Sequence, residues 1–280
     1  MRARLILFLK GMAMGAADSV PGVSGGTIAF IAGIYETLIG AIRSFDTAAL
    51  ALLRRGELRA FWDHVNGPFL AVLLAGIGTS ILLLSRLILG WLAAYPEMVW
   101  SFFFGLVVAS AVVIGRRIPR WTAPVIAAGI CGLGLGYLIT VASPAATPET
   151  ALFIFGSGMI AICAMILPGI SGSFILVLLS KYEYILSAVR DFRIGTMAVF
   201  AAGAAVGLLS FSHLLHWLLK RYHDLTVAAL TGLMVGSLNK VWPWKDVVAT
   251  YAAGGEAEPL VTRNLLPGTY LEVVGRDPHL

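Results

Sequence analysis

The sequence predicts an all-α polytopic membrane protein with an inverted internal repeat, each half a re-entrant helical hairpin plus transmembrane helices. Three observations carry this. The 280 residues are 59% hydrophobic and only 12% charged, whereas a soluble domain is nearer half apolar and a quarter charged. Apolar runs at about 67–92, 98–115, 122–142, 151–167 and 195–219, with a shorter one near 225–239, compare with the roughly 20 residues that cross a bilayer. Finally, Pro21-Gly22-Val23-Ser24-Gly25-Gly26 returns 147 residues later as Pro168-Gly169-Ile170-Ser171-Gly172-Ser173.

The first half is expected over 1–150. Arg2, Arg4 and Lys10 precede its broken segment, and Arg43, Arg54, Arg55 and Arg59 follow it. Basic flanks stay in the cytoplasm, so segment 5–42 must enter and return, turning at Pro21–Gly26. Lys10 interrupts the apolar stretch after Leu9, which argues against a cleaved signal. A polar loop at about 44–66 follows. Helix 67–92 leads out to loop 93–97, which lacks Lys and Arg. Helix 98–115 returns to Arg116, Arg117 and Arg120, and helix 122–142 leads out again.

The second half is expected over 151–280. Gly11–Arg43 aligns without a gap on Gly158–Arg190, with 12 of 33 positions identical. Further on, Gly76 meets Gly203, Gly105-Leu106 meets Gly232-Leu233 and Ser110 meets Ser237, at a spacing of 127. Hairpin 151–186 would enter from outside, helix 195–219 would descend to Lys220 and Arg221, and helix 225–239 would rise. One hairpin and three crossings make an odd unit, which inverts the second half relative to the first. Lys181, Arg190 and Arg193 then fall outside, against the charge rule. No apolar span answers helix 122–142, and the tail 243–280 is polar.

The two Pro-Gly-x-Ser-Gly turns are the candidate site. Broken helices survive in hydrocarbon only where protein or a watery cavity covers them. Matched breaks in two halves point to a transporter's binding site, and a helix N-terminus favours an anion such as phosphate. Ser24, Gly25, Gly26 and Thr27, with Ser171, Gly172 and Ser173, are therefore the expected substrate-binding residues. Close helix packing is the alternative for such small residues. Arg43 and Arg190, two helical turns beyond Glu36 and Glu183, either pair with those carboxylates or meet a phosphate at the membrane surface. Asp18, Glu36 and Glu183 are candidates for a coupling proton or sodium ion, because ionisable groups at membrane depth are usually functional. For Asp18 the alternative is a helix cap. Trp242-Pro243-Trp244-Lys245 reads as an aromatic belt with a snorkelling lysine.

Other classes fit less well. Net charge is +5, which in a membrane protein reflects cytoplasmic loops, so no nucleic-acid partner is expected. Cys131, Cys163 and the five histidines show no metal spacing, no cofactor is implied, and no P-loop is present. Gly22-Val23-Ser24-Gly25 also matches the G-x-S-G of an intramembrane serine hydrolase, which needs a histidine base such as His213 or His216. An ion-coupled secondary transporter of a small soluble anion is the other alternative; it would need a basic pocket closed to lipid, whereas a lipid substrate needs a groove open to the bilayer.

Three segments resemble the signatures of the PopT-type polyprenyl-phosphate transporter family. They are Gly15–Thr27 with Gly33-Ile34-Tyr35-Glu36, Leu167–Ser173 with Lys181-Tyr182-Glu183, and Gly232-Leu233 through Gly236-Ser237 to Trp242-Pro243-Trp244-Lys245. The resemblance covers nearly the whole chain. It implies return of undecaprenyl phosphate, the lipid carrier of cell-wall precursors, from the outer to the inner leaflet of the bacterial cytoplasmic membrane. It also implies a terminal helix beyond 225–239 that this sequence does not show. Oligomeric state is left open.

Overall fold

The computed structural model describes residues 2–20, 23–145, 147–253 and 256–275. Pro21 and Gly22, the start of the first expected turn, lie outside the described residues, as do Gly254, Gly255 and the last five positions. The chain is a multi-pass helical membrane protein. Among the described residues, four helices are long and apolar enough to cross a membrane: α6 (Gly67–Ala94), α7 (Pro96–Gly115), α8 (Ala123–Val141) and α12 (Ile194–Arg221). Proline opens α6, α7 and α8, where its missing N–H costs no intrahelical bond. Large side chains such as Leu82, Leu87, Leu138 and Leu214 point outward, as expected where the solvent is lipid.

Each half begins with a helix, α1 (Arg2–Asp18) or α9 (Ala151–Ile166), that ends at the expected turn. The returning arm is not one helix. It is α2 (Gly25–Ile31) and α3 (Tyr35–Arg43) in the first half, bent by 117°, and α10 (Gly172–Leu178) and α11 (Tyr182–Arg190) in the second, bent by 110°. The breaks fall at matched positions with left-handed backbone, Gly33 at φ 68° and Ser180 at φ 52°. Such a φ stops a helix. Lysines stabilise both breaks: Lys10 Nζ donates to Ala32 O at 2.6 Å, and buried Lys181 donates to Thr147 O at 2.5 Å.

The duplication recurs as packing. A Cβ on Gly11 would strike Leu73 O, and one on its mate Gly158 would strike Phe200 O, 127 residues beyond Leu73. Likewise Gly76 abuts Phe8 O and Gly203 abuts Phe155 O. The small residues are therefore where α1 meets α6 and α9 meets α12, at distances only glycine allows. A third close pair joins α8 to α13 (His223–Ser237) through Gly132, Gly136, Gly232 and Gly236.

Two polar segments are more ordered than their composition implies. The loop expected at 44–66 contains α4 (Thr47–Arg54) and α5 (Leu58–His64); Asp46 caps α4 by accepting from Ala49 N at 2.9 Å. The polar tail holds an antiparallel hairpin of β1 (Lys245–Ala253) and β2 (Glu256–Asn264), then α14 (Pro267–Val274). Buried Tyr270 Oη donates to buried Glu97 Oε1 at 2.6 Å, which fixes this tail over the start of α7.

Candidate functional site

The described residues of the first turn contact the second turn and the end of α9. α9 ends just before the second turn, and its last carbonyls need partners. The first half supplies them. Ser24 Oγ donates to Met165 O at 3.2 Å and Tyr35 Oη donates to Ile166 O at 3.1 Å. In return, Gly169 N donates to Thr27 Oγ1 at 2.8 Å. Gly26 permits this approach, since a Cβ there would lie 2.7 Å from Ile166 O. Gly169 has φ 92°, and its Cβ position lies 3.0 Å from Met234 Cα, so the second turn rests directly on the last turns of α13.

The two turns share a sequence but not a chemical state. In the first, Ser24 and Thr27 are buried, and the chain itself satisfies the N–H groups. Gly25 N donates to Asp18 Oδ1 at 2.6 Å and Gly26 N donates to Ser24 Oγ at 3.1 Å. Asp18 is thus a helix cap, and its carboxylate occupies the place expected for a bound anion.

In the second turn the mate of Asp18 is Met165. Its Cβ lies 3.4 Å from where a Cβ on Gly172 would stand, as Asp18 faces Gly25. The matched residue is therefore uncharged and offers no carboxylate to the start of α10. Ser171 makes no side-chain cap to α10, and its hydroxyl instead lies 2.7 Å from that of Ser173. Ser173 is exposed and Ser171 partly so.

Two lysines not expected at the site stand nearby, Lys240 beside the second turn and Lys245 against Lys240. Lys240, three residues beyond α13, holds its ammonium 4.4 Å from the Phe174 ring centroid, next in sequence to Ser173. Lys245 Nζ donates to Lys240 O and lies 4.0 Å from the Trp100 ring centroid. Trp242 anchors the segment by donating from Nε1 to Leu265 O at 2.8 Å, and its ring meets Phe104 edge-on at 5.4 Å. The Trp-Pro-Trp-Lys stretch is therefore packed inward, not a belt with a lysine reaching to the surface. A sequence signal for Lys240 existed: it closes the segment between Ser237 and the aromatic cluster.

The remaining candidates lie away from the turns. Arg43 and Arg190 are exposed at the ends of α3 and α11. Glu36 pairs with His223 Nε2 at 3.2 Å, so His223, and not Arg43, is its ion-pair partner among the described residues. Glu183 is partly buried in the first turn of α11. Around Arg43 and Glu36 stand His213, His216 and Lys220 of α12. Neither histidine reaches Ser24: His213 Nδ1 lies 2.8 Å from Leu209 O, and the Ser24 hydroxyl is held by Met165 O and Gly26 N.

An open cleft of about 430 Å³ runs between α8, α12 and α13 and reaches Leu167, the residue before the second turn. Its walls are Phe211, Leu215, Leu218, Leu225 and Leu230 with few polar groups, and among the described residues no charged one lines it.

The family model described as undecaprenyl phosphate translocase-like matches residues 14–257. A polyprenyl-phosphate transporter of Vibrio cholerae serotype O1 is 48% identical over 264 residues, 94% of this chain and 86% of the relative. A polyprenyl-phosphate transporter of Staphylococcus aureus is 32% identical over 257 residues, 85% of this chain and 86% of the relative. No solved structure matches. The chain belongs to the undecaprenyl phosphate translocase-like family.

Proposed function

We propose that this family member is a polyprenyl-phosphate transporter that returns undecaprenyl phosphate from the outer to the inner leaflet of the bacterial cytoplasmic membrane, without a covalent intermediate. The observation that carries this reading is the divergence of the two turns. The first is capped by Asp18, whereas the second offers Ser171, Gly172 and Ser173, with an apolar cleft reaching Leu167 just before the turn. A lipid phosphate needs this combination: donors for the head and an apolar channel for the prenyl tail. A soluble anion has no use for the cleft, which favours the lipid over the small-anion alternative.

The inverted arrangement fits the same reading. In the topology expected from the charged loops, Lys240 lies toward the outer face and Arg43 toward the inner face, with the turns between. Of the three cations on the unexpected side, Lys181 is buried against Thr147 O, and Arg193 donates to Tyr184 O at 3.3 Å. Cations bound within the protein are poor topology markers, so these two do not oppose the inverted orientation, whereas exposed Arg190 does. Arg43 and Arg190 guide the phosphate at the two surfaces. Asp18, Glu36 or Glu183 carries the coupling proton or sodium ion.

The test is leaflet exchange of undecaprenyl phosphate in liposomes containing purified protein, with and without a proton or sodium gradient. Exchange by the wild type that falls at least tenfold in Ser171→Ala, Ser173→Ala protein, roughly the 1.5–3 kcal/mol of hydrogen bonds to a charged group, supports the reading. Dependence on one gradient names the ion. Folded wild-type protein that exchanges no lipid, or a double variant with full activity, overturns it.

A further inference from the structure

The most unusual electrostatic feature outside the expected site is the pair Lys240 and Lys245. Each ammonium faces an aromatic ring, Phe174 and Trp100 respectively, and Lys245 donates to the carbonyl of Lys240 itself. Among the described residues, neither has a carboxylate within ion-pair distance. Asp246 follows Lys245 on the strand and so projects to its opposite face. Glu97, on α7 near Trp100, is held by Tyr270.

Two like charges drawn together and partly out of water need a reason. A cation over an aromatic face gains a modest attraction, whereas taking an isolated ammonium into protein costs more than that attraction returns. The rings alone do not offset that loss. An anion between the lysines and the second turn would. A phosphate monoester carries about −1.5 to −2 charges near pH 7, which two ammoniums match.

The position is equally specific. Lys240 stands over Phe174, the residue after Ser173, and the second turn rests on Met234 and Ser237 just before Lys240 in the chain. Asn239 is fixed by donation to Thr140 Oγ1 at 3.0 Å and by accepting from Asn264 Nδ2 at 2.7 Å. The lysines thus sit on a braced segment held by both α8 and β2.

Resting on the lipid-phosphate reading above, we propose that Lys240 and Lys245 are the cationic ligands of the phosphate head, acting with Ser171 and Ser173 as one anion subsite. Phe174 and Trp100 keep the ammoniums oriented when no phosphate is bound. The first turn takes no part in this subsite, because Asp18 fills the corresponding position there.

Calorimetric titration of the full chain in detergent tests this, with farnesyl monophosphate, farnesol and inorganic phosphate as probes. Lys240→Gln and Lys245→Gln should each weaken farnesyl monophosphate about tenfold, and the double variant about a hundredfold, as expected when a charge-assisted contact is lost. Lys240→Arg should recover most of the affinity, which a merely structural lysine over Phe174 would not require. Thermal unfolding of each variant identifies any that fails to fold, and Lys240→Arg then carries the test.

A folded double variant that binds within twofold of wild type overturns the subsite and leaves the transport reading standing. Inorganic phosphate bound as tightly as the farnesyl ester, with the same dependence on both lysines, upholds the lysines and overturns the lipid as ligand. A wild type that binds no probe and moves no lipid overturns both.

Discussion

The first and second Pro-Gly-x-Ser-Gly turns descend from one motif, yet one is internal scaffold and the other faces outward. Ser24, Gly25, Gly26 and Thr27 direct their polar groups at Asp18 and at the end of α9. Ser171 and Ser173 direct theirs at each other, and Phe174, next in sequence, meets Lys240. The matched positions that separate them include Asp18 against Met165, Gly26 against Ser173 and Thr27 against Phe174. A duplicated turn can become a structural joint by supplying its own carboxylate, as Asp18 does for Gly25 N. The remaining turn is then rigidly placed, because the first half holds the end of α9 through Ser24 and Tyr35.

The strongest way to break this asymmetry is to copy the cap. Met165→Asp would put a carboxylate opposite Gly172, where Asp18 stands opposite Gly25. Competition from this built-in anion should lower lipid exchange by at least thirtyfold, on the order of the 2 kcal/mol of a charge-assisted contact. Met165 is 45% exposed, so the substitution removes little core packing, and the thermal midpoint identifies a variant that fails to fold. Unchanged exchange in folded protein would show that the second turn is not where phosphate binds.

The converse change should strike stability. Asp18→Ala removes the acceptor from Gly25 N–H and leaves that donor without its partner, at a cost of roughly 1.5–3 kcal/mol. Thr27→Val leaves Gly169 N–H unpaired between the halves, for roughly 1–3 kcal/mol. Both are read as lower thermal midpoints. The serines sharpen the contrast further: Ser24→Ala should lower the midpoint with phosphate affinity little changed, and Ser171→Ala the reverse. Equal effects of the two would dissolve the comparison.

Much of this was legible in the sequence because membrane helices leave few ways to be wrong. The spans α6, α7, α8 and α12 begin and end within a few residues of their apolar runs, and the offset of 147 reappears as matched glycine contacts. The 117° and 110° bends were not legible. Their signals, Gly33 and Ser180, are single residues, and a left-handed φ at serine carries no mark in the sequence. The β-hairpin escaped because charged and small residues in its strands hide any alternation. At the site, the serines were found by repetition, but partnership was not. Nothing in the order of residues shows that Asp18 bonds Gly25, that His223 takes Glu36 from Arg43, or that Lys240 lies over Phe174. Those depend on how the two halves meet.

The smallest expected effect is a pH dependence that should belong to the second turn alone. Burial, and then the charge of Lys240, push the Lys245 ammonium down to about 7, from an ordinary value of 10.5. Around it stand Lys240, Trp100, Asp246 on the far face of the strand, and Glu97 held by Tyr270. In the ligand-free protein, the unfolded chain therefore binds one more proton than the folded chain between about 7 and 10.5. Stability should rise with pH across that window. Phosphate binding works the other way, because an anion favours the charged ammonium and must recruit a proton once pH exceeds about 7. The phosphate's own second ionisation, near 6, is complete by then. Affinity for farnesyl monophosphate should thus fall between pH 7.5 and 8.5 by up to roughly tenfold, the limit for one coupled proton. Lys245→Gln should flatten that slope, whereas Ser24→Ala should keep it, since the first turn does not face the ligand. A slope that survives in Lys245→Gln protein would assign the proton to another group and remove Lys245 from the phosphate's surroundings.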